Sequence, residues 1–239
     1  MPKPIWLFDL DNTLHNASHA IFPAINANMN AYIAEVLARR GLPADADAVN
    51  AARLLYWKRY GATLLGMVRH HGVSVDEFLH AAHEFDDLYA MIRAERGLAR
   101  LFRRLPGRKI LLTNAPRRYS QEVMRHLGLH RHFARHIPIE AMRVHGKLRP
   151  KPSRQLLRKL VAKERVPASR CVLVEDTIDT LKAARAVGMR TVWVTGYLRM
   201  NPSYSRSAPG LPAPAFTKRP GYVDVKVKSV TQLPGRLRE

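Results

Sequence analysis

"WLFDLDNTLHN", residues 6–16, ends an apolar run on Asp9 and sets a second carboxylate, Asp11, two positions further on. In an extended segment, residues i and i+2 project to the same side. Asp9 and Asp11 would therefore crowd each other. Like charges that close are unfavourable unless a cation joins them or one carboxyl keeps its proton. The stretch predicts a buried strand that delivers two acids to one place, and it raises the question of what lies between them.

Outward from this strand the chain changes texture twice. Residues 20–90 read as helical throughout. "FPAINANMNAYIAEVLARRG" (22–41) carries Ile25, Met29, Ile33, Val36 and Leu37 at helical spacing. Further helices are predicted over 45–60 and 61–72. "SVDE" (74–77) has the form of a capping box, with Ser74 as cap and Glu77 reaching back. From residue 95 strands and helices alternate. Strands are predicted at 109–113, 136–140, 171–175, 190–195 and 222–227, and helices at 95–104, 118–127, 152–164 and 177–188. Such alternation implies an α/β fold with a doubly wound parallel sheet. The all-helical block interrupts the first unit just after its strand. Insertions there reach the carboxyl ends of the strands, where open α/β sheets bind ligands. The expected organisation is a core of residues 1–16 and 92–239 with a helical cap of 17–91 inserted after the first motif.

The chain has 239 residues and 46% apolar content, ample for a core plus an accessory module. Its single cysteine, Cys171, cannot form an internal disulfide, and no secretory leader is read at the start. A cytoplasmic setting without membrane insertion is the expectation. Forty Lys and Arg against nineteen Asp and Glu give a formal charge of +21. The basic residues are dispersed over helix faces, as in "RQLLRKLVAKER" (154–165), with no continuous basic block. Diffuse charge of this kind steers anionic substrates without requiring a nucleic-acid site. The segment "LRMNPSYSRSAPGLPAPAFTKRPG" (198–221) stands apart as a Pro-rich basic loop carrying Arg199, Arg206, Lys218 and Arg219. Its expected place is a basic rim at the strand ends.

Four polar groupings fall at βα boundaries: Asp9 with Asp11, Thr113 with Asn114, Lys151, and Glu175 with Asp176. In a parallel sheet these boundaries converge on one edge. A cation answers the opening question. Asp9, Asp176 and the carbonyl of Asp11 are oxygen donors suited to Mg²⁺, and the absence of His and Cys from these groupings argues against zinc. Thr113 and Lys151 suit a phosphate group.

"DLDNT", "LLTNA", "KP" and "VEDT", in this order, resemble the haloacid dehalogenase (HAD) superfamily of Mg²⁺-dependent phosphohydrolases. The resemblance covers essentially the whole chain and implies a Rossmann-like core. "YWKRYGATLLGMVRHHG", "DEFLHAAHEFD" and "VEDTIDTLKAARAVGM" are similar to the pyrimidine 5′-nucleotidase branch. The resemblance implies Asp9 as nucleophile and Asp11 as general acid and base. It implies Thr113, Asn114 and Lys151 as phosphate-binding residues, and Asp9, Asp11 and Asp176 as metal ligands. Glu175 and Asp179 would support the metal. Many relatives carry an acid or amide where this chain has Thr180. His15, Asn16 and Tyr60 are candidates for the leaving group. The substrate expected is a small anionic phosphate monoester, a nucleotide such as UMP, CMP or dUMP, and the chain a monomer or homodimer. Two alternatives stand beside this: a HAD phosphatase for a sugar phosphate or phosphoglycolate, and a non-catalytic nucleic-acid-binding protein on the same scaffold.

If the 198–221 segment rims the site, neutralising Arg199, Arg206, Lys218 and Arg219 together will flatten the salt dependence of kcat/KM for an anionic substrate. Steady-state rates across an ionic-strength series check this.

Overall fold

The computed structural model describes residues 3–198 and 218–236. The described chain forms two compact units. One contains the residues up to His19 and those from Ile92 onward; the other is Ala20–Met91.

The first unit is built on β1 (Ile5–Phe8), β2 (Arg108–Leu112), β3 (Arg135–Ile137), the hairpin strands β4 (Arg143–Val144) and β5 (Lys147–Leu148), β6 (Cys171–Glu175), β7 (Arg190–Val194) and β8 (Val225–Val227). Six of these make one sheet in the order β3-β2-β1-β6-β7-β8, with every neighbouring pair parallel. β1 is interior, and all four of its residues are buried. That explains its unbroken apolar run: a strand covered on both faces cannot alternate with polar residues. Ile5 and Leu7 join a cluster with Ile110, Leu112, Leu157, Leu173 and Trp193. Trp6 and Phe8 point to the opposite face. There the Phe8 ring meets Phe102 at 5.0 Å and Phe133 at 5.9 Å. Fully burying a side chain such as Phe8 contributes about 2–3 kcal/mol.

Three places depart from the sequence expectation. The strand predicted over 136–140 ends at Ile137, because Pro138 lacks an N–H and leads into a short 3-10 turn at Ile139–Ala141. The strand predicted over 222–227 is only Val225–Val227. Upstream, the Asp224 carboxylate accepts the Thr191 N–H at 2.8 Å and the Tyr222 carbonyl accepts the Thr191 hydroxyl at 2.8 Å, so side-chain bonds stand beside the one backbone bond there, from the Asp224 N–H to the Thr191 carbonyl at 3.2 Å. The β4–β5 hairpin was not foreseen. His145 (φ 48°) and Gly146 (φ 73°) turn it, both in the left-handed region that a two-residue I′ turn requires.

The second unit holds five helices: α1 (Ile21–Ala38), α2 (Ala46–Tyr60), α3 (Thr63–His71), α4 (Val75–Ala82) and α5 (Leu88–Met91). Asp45 caps α2, accepting the N–H groups of Asp47 and Ala48 at 3.0 Å. Ser74 caps α4 through the Glu77 N–H at 3.5 Å. Among the described residues the return bond of the capping box is not formed; burial, then the neighbouring Glu77 carboxylate, raise the Tyr32 phenol. The Tyr56 hydroxyl pairs with His71 Nε2 at 2.6 Å, tying α2 to α3.

In the first unit α6 (Leu98–Arg104), α7 (Arg117–His126), α8 (Arg154–Glu164), α9 (Ile178–Ala186) and the short α10 (Leu233–Arg236) complete the pattern. α8 buries Leu156, Leu157 and Leu160 and leaves its basic residues outside. Arg199 and Arg206 of the expected basic rim lie outside the described residues. Of the other two, Lys218 is exposed, while Arg219 donates to the carbonyls of Val223 and Asp224 at 2.6 Å each. Among the described residues, no helix is long and apolar enough to cross a membrane.

Gly107 precedes β2 at φ 97°, and a Cβ there would lie 2.1 Å from the Pro4 carbonyl oxygen. Gly107→Ala will therefore lower stability by about 2–3 kcal/mol, because neither the backbone conformation nor the backbone oxygen can yield cheaply. Urea denaturation against wild type measures this.

Candidate active site

The parallel register fixes where the polar groups go. Phe8 pairs with Leu111 on one side and Val174 on the other. The next residues along these strands therefore emerge together at the carboxyl edge: Asp9 from β1, Thr113 just past β2, and Glu175 with Asp176 from β6. Lys151 comes from the loop before α8. Asp9, Thr113, Lys151, Glu175 and Asp176 are buried, Asp11 is half-buried and Asn114 is exposed.

Lys151 is the hub. Its Nζ donates to Asp9 Oδ1 at 2.6 Å and to Glu175 Oε2 at 2.7 Å. Asn114 sets the loop that delivers it. The Asn114 Nδ2 donates to the Lys151 carbonyl and its Oδ1 accepts the Lys151 N–H, both at 3.0 Å. The Asn114 amide thus forms a two-point clamp on the lysine backbone. Arg149 N–H reaches the Met142 carbonyl at 2.7 Å, so the hairpin also steers this loop. Lys147 and Arg149, the other cations of "KLRPKPS", are exposed. Glu175 Oε1 accepts the N–H groups of Asp176 and Thr177, each at 3.2 Å. The fully buried Trp193 donates Nε1–H to the Asp176 carbonyl at 3.0 Å.

Carboxylate oxygens of Asp9, Glu175 and Asp176 lie within 4.8 Å of one another. Three carboxylates against one ammonium leave an excess of negative charge in a dry setting. The consequences are directional. Burial, then Glu175, push Asp9 up to about 8 despite the pull of Lys151. Burial, then Glu175 and Asp9, hold Asp176 well above the carboxylate range. Burial also works to raise Glu175, but Lys151 and its hydrogen bonds outweigh it and keep Glu175 low. Burial disfavours the Lys151 charge, but Asp9 and Glu175 outweigh that and raise it. An all-oxygen donor set with surplus negative charge fits a hard divalent cation such as Mg²⁺.

Around the first acid pair, the Thr13 hydroxyl donates to Asp9 Oδ2 at 3.3 Å. Asn12 adopts φ 58° and locks the turn, its Nδ2 donating to Ser18 Oγ at 2.8 Å. Asp11 follows a different course from Asp9. Its Oδ1 accepts the Tyr119 hydroxyl at 2.6 Å and lies 2.8 Å from His15 Nε2. Burial and Asp11 raise Tyr119 well above the ordinary phenol value, so it keeps its proton as donor. Thr113 Oγ1 accepts the Ala115 N–H at 3.0 Å, which leaves its hydrogen to donate.

Several expected site residues lie elsewhere. His15 is fully buried and turned onto Asp11. Asn16 Oδ1 accepts the His19 N–H at 3.1 Å, and its own N–H goes to the Arg93 carbonyl at 2.6 Å. Its role is to shape the chain. Tyr60 belongs to the helical unit, with its hydroxyl 2.6 Å from His70 Nε2. Asp179 is exposed in the first turn of α9 and stands outside the carboxylate cluster, whereas Thr180 is buried. Tyr119 and Trp193 were missed. Tyr119 sits in the first turn of α7 after "TNAP", a position whose signal is its closeness to the strand end; an aromatic on a helix otherwise reads as core.

A parallel sheet whose carboxyl edge gathers three acids, a lysine and a threonine defines an α/β protein with an acid-rich, cation-ready centre. The profile of the haloacid dehalogenase-like hydrolases matches residues 5–188, and the chain belongs to that family. Among solved structures it is similar to a HAD phosphatase from Thermococcus onnurineus, at 16% identity over 99% of this chain and 98% of that one, with a TM-score of 0.61. It is similar to CbbY from Rhodobacter sphaeroides in complex with phosphate, at 20% identity over 97% and 96%, with a TM-score of 0.58. It is also similar to YfnB of Bacillus subtilis, a candidate HAD-hydrolase bound to magnesium, at 14% identity over 100% of both chains, with a TM-score of 0.54. At these identities the likeness shows the shared fold.

Folding without a metal raises Asp9 from 3.8 to about 8, so the folded state holds an extra proton between those values. Stability of the metal-free protein will therefore fall as pH rises across that window. Mg²⁺ will raise Tm by more at pH 8 than at pH 5, since protons compete for the same carboxylates. Thermal melts in EDTA and in Mg²⁺ at the two pH values check both statements.

Proposed function

We propose that this protein is a Mg²⁺-dependent phosphomonoesterase that works through an aspartyl-phosphate. The observation that carries this reading is Asp9: a strand-end carboxylate held by Lys151 at 2.6 Å and grouped with Glu175 and Asp176. Asp9 attacks phosphorus, the bond to the leaving oxygen breaks, and Asp11 gives that oxygen a proton. Water then attacks the phosphoenzyme, Asp11 takes its proton, and phosphate departs with Asp9 restored. Lys151 and Thr113 donate to the phosphoryl oxygens as charge shifts onto them. Asn114 serves by holding Lys151 in place. Asp9, Asp176 and the Asp11 carbonyl would hold Mg²⁺, with Glu175 in support; the ion supplies charge neutralisation between the nucleophile and the phosphoryl group.

The substrate class we favour is a pyrimidine nucleoside 5′-monophosphate. Its support is the run of stretches similar to that branch, and the chain's formal +21, which suits an anionic substrate.

A screen of phosphate monoesters with Mg²⁺ tests the reading. UMP, CMP or dUMP will be turned over ahead of sugar phosphates and phosphoglycolate. Asp9→Asn will reduce turnover to background, and Asp11→Asn will lower it by roughly 10²–10⁴-fold. A preference for phosphoglycolate would keep the reaction and discard the nucleotide. Salt-sensitive nucleic-acid binding without any turnover would discard the enzyme reading.

A further inference from the structure

We propose that His15 and Tyr119 are positioning residues that hold Asp11 in the geometry required of the general acid; this rests on the reading of Asp11 given above. Both meet the same atom. The Tyr119 hydroxyl donates to Asp11 Oδ1 at 2.6 Å, and His15 Nε2 lies 2.8 Å from that oxygen. The Tyr119 hydroxyl and His15 Nε2 are 3.4 Å apart, so the three groups lie in mutual contact. A carboxylate only accepts, so the hydrogen of this contact is on Nε2 of His15. That leaves Nδ1, which is buried without a hydrogen-bond partner among the described residues.

The orphaned nitrogen is the telling feature. A buried polar atom without a partner is destabilising. An apolar side chain would fill the same space without that cost. The ring is fully buried, and its Nε2 contacts are Asp11 and Tyr119. The arrangement makes physical sense if the N–H on Asp11 is what the site needs. Tyr119, only 2% exposed, brings the second donor from α7, an element 108 residues away in sequence.

Two donors on Oδ1 do two things. They stop rotation of the carboxyl, so it is oriented before substrate arrives. They also make Oδ1 the poorer seat for a proton, which places the transferable proton on Oδ2. Asp9 has no such arrangement; its partners are a cation and a threonine hydroxyl. The two acids of "DLDNT" are thereby given different surroundings.

Positioning of an acid has a signature that simple structural support lacks. A nucleoside monophosphate has an alkoxide leaving group that needs the proton. p-Nitrophenyl phosphate has a leaving group that departs as a stabilised anion without it. The value of kcat/KM covers the steps through phosphoenzyme formation, so it reads Asp11 as acid and not as base. Tyr119→Phe and His15→Leu will each lower kcat/KM about tenfold or more on the nucleotide, the loss falling on kcat, and less than about twofold on p-nitrophenyl phosphate. His15→Gln, which can place an N–H near Nε2, will recover most of the loss. Tyr119→Phe removes one oxygen and carries the test should His15→Leu fail to fold. Equal losses on both substrates, or no loss on either, overturn the proposal. If wild type turns over both substrates and Asp9→Asn neither, such a result removes this inference alone. If wild type turns over neither, the phosphatase reading falls with it.

Discussion

One buried ammonium sets the terms for this protein. Lys151 stands between Asp9 and Glu175, with Asp176 alongside, in a pocket from which water is almost excluded. Removing one partner from a buried ion pair costs on the order of 3–5 kcal/mol, because the remaining charge is stranded. The cluster is also unbalanced, since one cation cannot neutralise three carboxylates. Protonation or a second cation must make up the difference. A site that needs a counter-charge to be comfortable is ready for a divalent ion and for the chemistry it assists.

Much of the surrounding structure keeps that ammonium and its partners in register. β1 is pinned on both sides, so Asp9 leaves the sheet at a fixed height. Asn114 grips the lysine backbone from the end of β2. The hairpin at residues 143–148 brings the loop round, and Trp193 anchors Asp176 from β7. None of these groups need touch a substrate. They convert a flexible side chain into a fixed charge, which is what preorganised electrostatic catalysis requires.

The sheet was readable because its strands are buried on both faces, which leaves continuous apolar runs bounded by polar residues. "IWLF" and "CVLVE" are of this kind. The convergence of Asp9, Lys151, Glu175 and Asp176 followed from topology alone. Where the reading failed, the cause was a side chain whose partner is distant in sequence. Nothing local tells that Asn114 binds a backbone 37 residues away, or that His15 meets Tyr119, 104 residues on. The short β8 has a similar cause: Asp224 answers to Thr191 across the sheet. Two-residue strands such as β4 carry too little pattern to register, although His145-Gly146 is a recognisable turn pair.

The bond from the Asn16 N–H to the Arg93 carbonyl, 2.6 Å long, has a wider meaning. It joins the chain where it departs toward the helical unit to the chain where it comes back. The 72 residues Ala20–Met91 form the second compact unit, and the chain on either side of them is joined within the first. The hydrogen bond that closes this joint lies wholly among residues of the sheet-bearing unit, so it does not depend on the length or composition of what is inserted. Such a joint is a natural seam for recombination: one helical unit can be exchanged for another of different length while the catalytic strand ends stay where they are.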